Sequence, residues 1–350
     1  MSLHYKIFLT ALIISAAATP LVMKLAKKIG AIDVPEDDRR VHKFPVPLIG
    51  GLAIYLSFII SVIVFIPKSS YVLNNQVMGI ILGSTFITLA GLIDDIKPLR
   101  ARNKFILQII AATILIFFDV RIEFLTNPFS KINSMIDIGW LSIPATLIWI
   151  VGVTNAFNFI DGLDGLAAGE AVISCATLFI ISMMNGREAA MLLTAALAGG
   201  ALGFLPYNFH PAKIFMGDTG SQFLGFVLAA ISIQGAIKSA TAIAVAVPVL
   251  ALGLPIYDTL ISMIRRYINN RPVSEADKGH LHHRLLELGL NQKQAVLIMY
   301  TISSALGICA ILAAKLGGLI SMLILIIVLG LVLFFAKRLG LFRKRKNDEG

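Results

Sequence analysis

Long apolar runs recur along this chain, and they limit what it can fold into. Each run has 17 or more residues, which is enough for a helix to cross a hydrocarbon core of roughly 30 Å. The chain is 57% hydrophobic and 14% charged, whereas a soluble domain carries about 25% charged residues. A membrane β-barrel would show short alternating segments instead. The sequence therefore predicts an all-α polytopic membrane protein.

Eleven apolar segments are predicted to be membrane spans. The first is interpreted as a span and not a cleaved signal peptide, because it lacks a strongly basic start and its apolar stretch continues to about Leu25. The ninth contains Pro248 and Pro255 and is expected to be kinked or broken. Residues 120–140 are too polar to span and are expected to form a short ordered excursion on the outer face. The predicted spans are 4–26, 48–66, 76–93, 104–119, 141–157, 166–184, 189–205, 220–237, 240–264, 292–313 and 317–336.

The positions of the basic residues predict the orientation. A net charge of +10 first suggests nucleic acid, but 21 Lys and Arg residues fall on one side of the spans and 7 on the other. Basic loops stay in the cytoplasm, so the N-terminus is expected outside and the C-terminus inside, and the charge needs no nucleic-acid partner. Cys175 and Cys309 lie in apolar runs without metal-ligand spacing, so no disulfide is predicted.

The stretch NAFNFIDGLDG, residues 155–165, places polar groups at a spacing of three in an otherwise apolar region. On a helix, Asn155, Asn158, Asp161 and Asp164 would share one face. A glycine follows each aspartate, so the helix is expected to break there and bring its backbone close to a ligand.

Five aspartates fall at the predicted cytoplasmic ends of helices. Any one of them is equally well explained as a helix cap or a tolerated side chain near the interface. Five on one side, with few basic residues beside them, favour a bound cation. Oxygen ligands without histidine or cysteine suit a hard ion, Mg²⁺ or alternatively Mn²⁺. The five are Asp94, Asp95, Asp161, Asp164 and Asp218.

Basic and aromatic residues accompany these carboxylates. The segment KGHLHHRLLELG, residues 278–289, favours phosphate binding, with a zinc site and a solvated loop as alternatives. Lys43, Arg102 and Lys104 would either bind phosphate or only contribute to the positive charge of the cytoplasmic side. Phe215, three residues before Asp218, would stack on a base or pack in the core.

Taken together, these motifs resemble the polyprenyl-phosphate N-acetylhexosamine-1-phosphate transferases, the membrane family that includes MraY, WecA and TagO. The resemblance covers about residues 30–290, through GLIDD, NAFNFIDGLDGLAAG, PYNFHPAKIFMGDTGS and HLHH in that order. It implies an MraY-like fold, transfer of a sugar-1-phosphate from a UDP-sugar to a polyprenyl phosphate, release of UMP, a requirement for Mg²⁺, and a homodimer. It also implies one transmembrane catalytic domain over 1–336 and a basic cytoplasmic tail over 337–350. The active-site loops are expected near 27–47, 94–104, 155–166, 206–219 and 265–291.

The resemblance also assigns roles by position. Asp218 matches the aspartate that holds Mg²⁺. The candidate catalytic residues are Asp94, Asp95, Asp161 and His282. The candidate substrate-binding residues are Lys43, Lys104, Asn158, Asp164, Asn208, Phe215, His280, His283 and Arg284. Among these, Asp94 and Asp95 match residues near the lipid phosphate, Phe215 and Asp164 match residues that contact uracil, and His282 matches a histidine facing the diphosphate.

The histidine loop predicts the branch of the family. Peptidoglycan enzymes carry three consecutive histidines, whereas here Leu281 separates His280 from His282 and His283. This pattern is similar to the WecA and TagO branch, which uses UDP-GlcNAc, and it implies the first membrane step of a glycopolymer such as lipopolysaccharide or teichoic acid.

We expect the lipid phosphate to attack the β-phosphorus of the UDP-sugar directly, with Asp94 positioning or deprotonating the lipid phosphate. A covalent aspartyl-phosphate route stays open as the alternative.

Other functions remain as alternatives. A phospho-MurNAc-pentapeptide transferase would keep the family and change the sugar, and a lipid pyrophosphatase would need no UDP-sugar. A secondary transporter would place its site near the bilayer midplane between internal repeats, but here the polar residues lie at one face and no repeat is visible. A scaffold without chemistry does not explain aspartates on separate loops.

Overall fold

A computed structural model describes residues 2–34, 45–65, 74–126, 135–237, 246–269, 279–316 and 318–341. Most of this part of the chain is helical. The helices are α1 (Leu3–Ile29), α2 (Gly51–Phe65), α3 (Asn75–Ile96), α4 (Ala101–Phe117), α5 (Ser142–Ile160), α6 (Leu166–Met184), α7 (Glu188–Asn208), α8 (Gly217–Ser232), α9 (Ala246–Ala251), α10 (Gly253–Ile268), α11 (Leu281–Glu287), α12 (Gln292–Leu316) and α13 (Gly318–Arg338).

Two short antiparallel strand pairs accompany the helices. Strand β1 (Ile32–Asp33) pairs with β2 (Val46–Pro47), and β3 (Phe124–Thr126) pairs with β4 (Met135–Asp137). The second pair lies in the segment predicted to be a short ordered excursion, and it leads into α5 through a 3₁₀ turn at Gly139–Leu141. That this excursion faces outward stays a prediction.

Within the residues that the structure describes, seven segments are long and apolar enough to cross a membrane, which confirms the all-α polytopic class. They are Leu3–Ile29, Asn75–Ile96, Gly139–Ile160, Leu166–Met184, Glu188–Asn208, Gln292–Leu316 and Gly318–Arg338. The other predicted spans contain the shorter helices α2, α4, α8 and α10, so the count of eleven and the orientation stay predictions. The ninth span is broken as expected, because α9 ends at Ala251 and α10 begins at Gly253.

Helix α8 lies at the centre of the bundle, and every residue from Thr219 to Ser232 is buried. Helices α2, α3 and α5 pack around it. Helices in a bilayer associate through close packing of small residues, because lipid tails are as apolar as the side chains. Gly51 of α2 and Gly91 of α3 both face the first turn of α8. This close approach brings the last turn of α3 against the start of α8.

The last turn of α3 carries the paired aspartates. Asn74 caps the start of the helix by accepting a hydrogen bond from the Val77 N–H at 2.9 Å. The helix ends at Ile96 because Pro98 disfavours a helical conformation at the residue before it. Asp94 and Asp95 therefore lie at the end of α3 that faces α8.

We expect Gly51→Ala to destabilise the bundle. A Cβ at this position would lie 2.0 Å from Gly220 Cα, so α2 and α8 would have to separate. Overpacking of this kind costs about 1–3 kcal/mol, which will lower the thermal unfolding midpoint of the purified protein. Gly152→Ala is the matched control, because nothing lies within 4 Å of a Cβ there. Equal midpoints for the two variants would contradict this account of the helix packing.

Candidate active site

The candidate site forms where three sequence motifs meet. GLIDD supplies the end of α3, NAFNFIDGLDG supplies the end of α5 and the loop to α6, and GDTGS supplies the first turn of α8. The His282 ring of α11 lies against Gly162, in the loop between α5 and α6. These segments are far apart in sequence, and the glycine-mediated helix packing brings them together.

Asp95 holds the start of α8. Its Oδ1 accepts a hydrogen bond from the Asp218 N–H at 2.8 Å, and its Oδ2 accepts from the Thr219 N–H at 3.0 Å and the Thr219 hydroxyl at 2.5 Å. A carboxylate at a helix N-terminus also interacts favourably with the helix dipole. Both oxygens accept hydrogen bonds from the start of α8, so Asp95 positions Asp218, and the catalytic role assigned to Asp95 stays a prediction.

Gly217 makes this contact feasible. Its φ is +68°, in the left-handed region that favours glycine, and a Cβ here would lie 2.4 Å from Asp95 Oδ2. The glycine of GDTG therefore allows the Asp95 carboxylate to reach the α8 backbone.

Asp218 is the centre of the polar contacts. Lys104 Nζ lies 2.8 Å from Asp218 Oδ2 and also forms an ion pair with Asp94. Asn158 Nδ2 donates to Asp218 Oδ1 at 2.9 Å. Asp94 in turn accepts a hydrogen bond from the Leu99 N–H at 2.6 Å. The structure therefore brings together four residues that the sequence predicted to belong to one site.

A layer of buried amides lies behind Asp218. Gln222 Nε2 donates to Asp218 Oδ2 at 3.1 Å, and Gln108 Nε2 lies 3.3 Å from Gln222 Oε1. Asn155 Nδ2 completes the layer by donating to Gln108 Oε1 at 2.7 Å. The sequence analysis did not select Gln108 or Gln222. The sequence feature that could have identified them is an amide side chain inside an apolar helix. An unpaired polar group there costs free energy, so a hydrogen-bond partner is expected.

The helix break predicted in NAFNFIDGLDG is confirmed, because α5 ends at Ile160 and α6 begins at Leu166. Asp161, the first residue after α5, is half-buried. Burial, together with the negative charges of Asp218, Asp95 and Asp164, raises the pKa of Asp161 to about 8. A cation beside these carboxylates would favour the ionised form of Asp161.

Asp164 and Asn208 connect the DGLDG loop to the segment before Phe215. Asp164 Oδ2 lies 2.7 Å from His210 Nδ1 and accepts from the Ala212 N–H at 3.0 Å. Asn208 is buried, accepts from the Gly165 N–H at 3.1 Å and donates to the Ile214 carbonyl at 3.0 Å. Asn208 therefore braces the loop from within, in contrast to the substrate contact predicted for it. His210, which the sequence analysis missed, lies in the motif PYNFHPAKIFMGDTGS.

Phe215 lies beside the strand that precedes α2. Its N–H donates to the Pro47 carbonyl at 2.9 Å, and its own carbonyl accepts from the Gly50 N–H at 2.9 Å. Two backbone hydrogen bonds thus fix its position, and its side chain is half-buried. Stacking on a base stays a prediction. Lys43, the remaining substrate-binding candidate before α2, lies outside the described residues.

The histidine loop places His282 against DGLDG. His282 Nε2 would lie 2.5 Å from a Cβ at Gly162, so only a glycine leaves room for the ring. His282 is buried, and its Nδ1 has no hydrogen-bond partner within the described ranges. Burial, with a smaller effect from His283, lowers the pKa of His282 to about 3. The ring is therefore neutral, with Nε2 on the side of Gly162 and the buried Nδ1 without a partner among the described residues.

The other members of this loop have partners within the protein. His280 is buried and its Nδ1 lies 2.7 Å from Asp258 Oδ2. Arg284 donates to Glu287 at 2.6 Å and to the Gly340 carbonyl at 3.0 Å. The His283 ring is half-buried and packs 4.2 Å from the His282 ring, between centroids. His280 and Arg284 thus hold the loop in place, and substrate binding by either residue stays a prediction.

The residues around Asp218 fit a hard divalent cation. Among the residues that the structure describes, no three His, Cys, Asp or Glu side chains converge as a complete metal cage. Mg²⁺ does not require one, because it is usually bound by one or two carboxylates together with water and substrate phosphates. The Lys104 ammonium bridges Asp94 and Asp218, so one positive charge faces two carboxyl groups, and phosphate oxygens that pair with Lys104 would leave these groups free for a cation.

Comparisons with known proteins identify relatives. A family model described as "Glycosyl transferase family 4" matches residues 77–236. The chain is 38% identical to a protein of Bacillus subtilis named "Probable undecaprenyl-phosphate N-acetylglucosaminyl 1-phosphate transferase", over 97% of this chain and 92% of that protein. It is 37% identical to a Mycobacterium leprae "Decaprenyl-phosphate N-acetylglucosaminephosphotransferase", over 83% and 79% of the two chains. A "Phospho-N-acetylmuramoyl-pentapeptide-transferase" of Halalkalibacterium halodurans is 35% identical, over 65% and 72%.

We expect Asp95→Asn to destabilise the protein. Asparagine has a single acceptor oxygen, so its amide group would face the donors of Asp218 or Thr219, at a cost of roughly 1–3 kcal/mol. The thermal unfolding midpoint should fall accordingly. Asp119→Asn is the matched control, because Asp119 is exposed and its φ of +59° suits asparagine. A midpoint for Asp95→Asn as high as that of the control would contradict the bracing role.

Proposed function

We infer that this chain, which belongs to the polyprenyl-phosphate N-acetylhexosamine-1-phosphate transferases of glycosyl transferase family 4, transfers N-acetylglucosamine-1-phosphate from UDP-GlcNAc to undecaprenyl phosphate and releases UMP. The observation that carries this inference is the cluster of Asp94, Lys104, Asn158 and Asp218, which joins three motifs of the family in one site. The product is an undecaprenyl-diphosphate sugar, the first lipid-linked intermediate of an envelope glycopolymer.

The relatives support the choice of sugar. The Bacillus subtilis and Mycobacterium leprae proteins are named for N-acetylglucosamine and match 97% and 83% of this chain. The pentapeptide transferase matches 65% of it. The histidine loop supports the same choice, because Leu281 interrupts the run of histidines. The pentapeptide substrate therefore remains the alternative to test.

The location of the site supports a reaction between a lipid and a water-soluble nucleotide. We place the protein in the bacterial cytoplasmic membrane with this site at the cytoplasmic face, following the predicted orientation. The lipid phosphate lies at the membrane surface, and the UDP-sugar comes from the cytosol. Asp94, Asp161 and Asp218 lie at helix ends, where both substrates can meet.

The proposed reaction is a direct displacement at phosphorus. An oxygen of the lipid phosphate attacks the β-phosphorus of UDP-GlcNAc, and a new P–O–P bond forms. The bond between that phosphorus and the oxygen shared with the α-phosphate breaks, and its electron pair leaves with UMP. A phosphate monoester has its second pKa near 6, so at pH 7 it attacks largely as the dianion and needs no strong base.

The residues of this chain then act mainly by positioning and electrostatics. Lys104 presents an ammonium group beside Asp94 and Asp218, where it can pair with a phosphate oxygen. Asp94 orients Lys104 and is itself held by the Leu99 N–H. These contacts support direct attack over a covalent intermediate on Asp94. His282 would donate or accept one hydrogen bond at the diphosphate through Nε2, the ring nitrogen on the side of Gly162.

Asp218 is the residue we propose to hold Mg²⁺, with Asp94 or Asp161 beside it. When bound, Mg²⁺ would neutralise negative charge on the diphosphate and on the departing UMP. Asn158 and the buried amides hold the Asp218 carboxylate in one orientation.

The test uses purified protein in detergent with Mg²⁺ and undecaprenyl phosphate. UDP-GlcNAc and UDP-MurNAc-pentapeptide are supplied in separate reactions, and UMP release is followed together with label in the lipid phase. We expect both signals with UDP-GlcNAc alone. Transfer only from the pentapeptide substrate would keep the family and overturn the choice of sugar. No lipid label from any UDP-sugar, with folded protein, would overturn the proposed activity.

Asp94→Asn and Asp218→Asn should each lower turnover by about 100-fold or more, as expected when one electrostatic contact is lost from an active site. Both proteins should remain folded by size-exclusion chromatography, since asparagine keeps the volume of aspartate. Asp119→Asn serves again as the control and should keep normal turnover. Near-normal turnover in Asp94→Asn or Asp218→Asn would remove that residue from the mechanism.

A further inference from the structure

We propose that one face of α10, formed by Asp258, Ser262 and Arg265, positions the histidine loop for the transfer reaction, with the C-terminal turn Leu339–Leu341 as a second support. In this view the turn Leu339–Leu341 is part of the framework of the active site. The kinetic test of this inference rests on the proposed function, whereas its structural basis is the set of contacts that α10 and the C-terminal turn make with the histidine loop.

Asp258 fixes the first turn of α11. Its Oδ2 lies 2.7 Å from His280 Nδ1, and its Oδ1 accepts from the Leu281 N–H at 2.8 Å. Asp258 and His280 are both buried. A buried carboxylate is unfavourable unless it is paired and hydrogen-bonded, and here both oxygens are used to anchor the histidine loop. Asp258 is thus a helix cap supplied by a different helix.

Arg265 continues this anchor two turns along the same face of α10. Its Nη1 donates to the Gly279 carbonyl and to the Leu341 carbonyl, both at 2.7 Å, and its Nη2 donates to Ser262 Oγ at 3.0 Å. One guanidinium therefore joins the residue before His280 to the end of the described chain. Ser262 also lies 3.3 Å from His280 Nδ1, so it touches both anchors.

The C-terminal turn closes the arrangement from the other side. Beyond α13, Gly340 has a φ of +68° and the Leu341 N–H donates to the Ala336 carbonyl at 2.9 Å, which ends the helix in a left-handed cap. Arg284 of α11 donates to the Gly340 carbonyl at 3.0 Å. Carbonyls near a helix C-terminus attract cations, so Arg265 and Arg284 bind the end of α13 to the histidine loop.

Apolar contacts reinforce these hydrogen bonds. Leu341 is buried in a small cluster with Ile261 of α10 and Ala336 of α13, and Leu281 and Leu339 pack against it. The cluster is separate from the main core of the bundle. Its effect is to press α10, α11 and α13 together beside the histidine loop.

These supports matter because α11 has seven residues, Leu281–Glu287. Isolated helices shorter than about 12 residues are marginal in water, so tertiary contacts must set the position of α11. His282 is the second residue of this helix, and its ring fits against Gly162. A small displacement of α11 would therefore move His282 away from the DGLDG loop and from the diphosphate expected there.

The kinetic test compares Asp258→Asn and Leu341→Ala with two matched controls. Asparagine at 258 keeps the size but offers a single acceptor oxygen, so it cannot hold both His280 and Leu281. We expect the KM for UDP-GlcNAc to rise about tenfold in Asp258→Asn and about threefold in Leu341→Ala, as is common when a supporting contact of a ligand-binding residue is lost. The KM for undecaprenyl phosphate should stay within about twofold, because Lys104 and Asp94 are untouched.

The controls separate positioning from loss of folded protein. Glu170→Gln removes a buried carboxylate that accepts from Ser303 at 2.5 Å, and Leu329→Ala shortens an exposed leucine of α13. Both controls should keep both KM values. A variant that only reduces the folded fraction lowers Vmax and leaves KM unchanged. Unchanged KM values in Asp258→Asn and Leu341→Ala, or equal shifts in the controls, would overturn the proposal.

A second readout does not depend on activity. Amide hydrogen exchange measured by mass spectrometry on the full chain should show faster exchange over residues 279–288 in both test variants, because the anchors of α11 are weakened. Exchange at the wild-type rate in this segment would overturn the positioning role. If the wild-type protein transferred no sugar-phosphate, the proposed function would fail, and the exchange rates would still decide whether α10 holds the histidine loop.

Discussion

The hydrogen bonds between Asp95 and the start of α8 determine the rest of the candidate site. Asp95 lies at the end of α3, and its two oxygens bind the backbone of Asp218 and Thr219 together with the Thr219 hydroxyl. The glycines between α2, α3 and α8 allow this contact, because each leaves room for backbone where a side chain would collide. This link fixes the backbone of Asp218, whose side chain contacts Lys104 and Asn158. The geometry that we assign to phosphate chemistry thus depends on close packing of helix backbones.

An unpaired polar group costs free energy within a membrane bundle, and the polar side chains around Asp218 are hydrogen-bonded to one another. Asp218 is fixed by Lys104, Asn158 and Gln222, and the amide layer continues through Gln108 to Asn155. Such a network keeps the carboxylate in one orientation before substrate arrives, which is the condition for electrostatic catalysis. The cluster has one ammonium group for the carboxylates of Asp94 and Asp218, so it suits a partner that brings both a cation and phosphate oxygens.

The two halves of the site differ in how they are supported. The aspartate cluster is built from long helices in the core of the bundle. The histidine loop is built on a short helix and takes its position from Asp258, Arg265 and the C-terminal turn. Segments held by few contacts open more readily than core helices. The position of the histidine loop thus depends on a small set of contacts, whereas the aspartates are positioned by the packing of the bundle.

The sequence by itself determined the all-α membrane class, the break of the ninth span and of NAFNFIDGLDG, and the motifs that place the chain in its family. It also selected Asp94, Lys104, Asn158 and Asp218, which meet in the structure. These features follow from local patterns, such as the length of apolar runs and the positions of proline and glycine.

Only the tertiary structure decided what the polar residues bind. Asp95 braces α8, Asn208 braces the DGLDG loop, and His280 and Arg284 hold their own loop, whereas Gln108, His210 and Asp258 were not selected at all. The physical reason is that a carboxylate, amide or imidazole is satisfied by whichever donor or acceptor the packing of distant helices brings within 3 Å, and sequence spacing does not specify that partner.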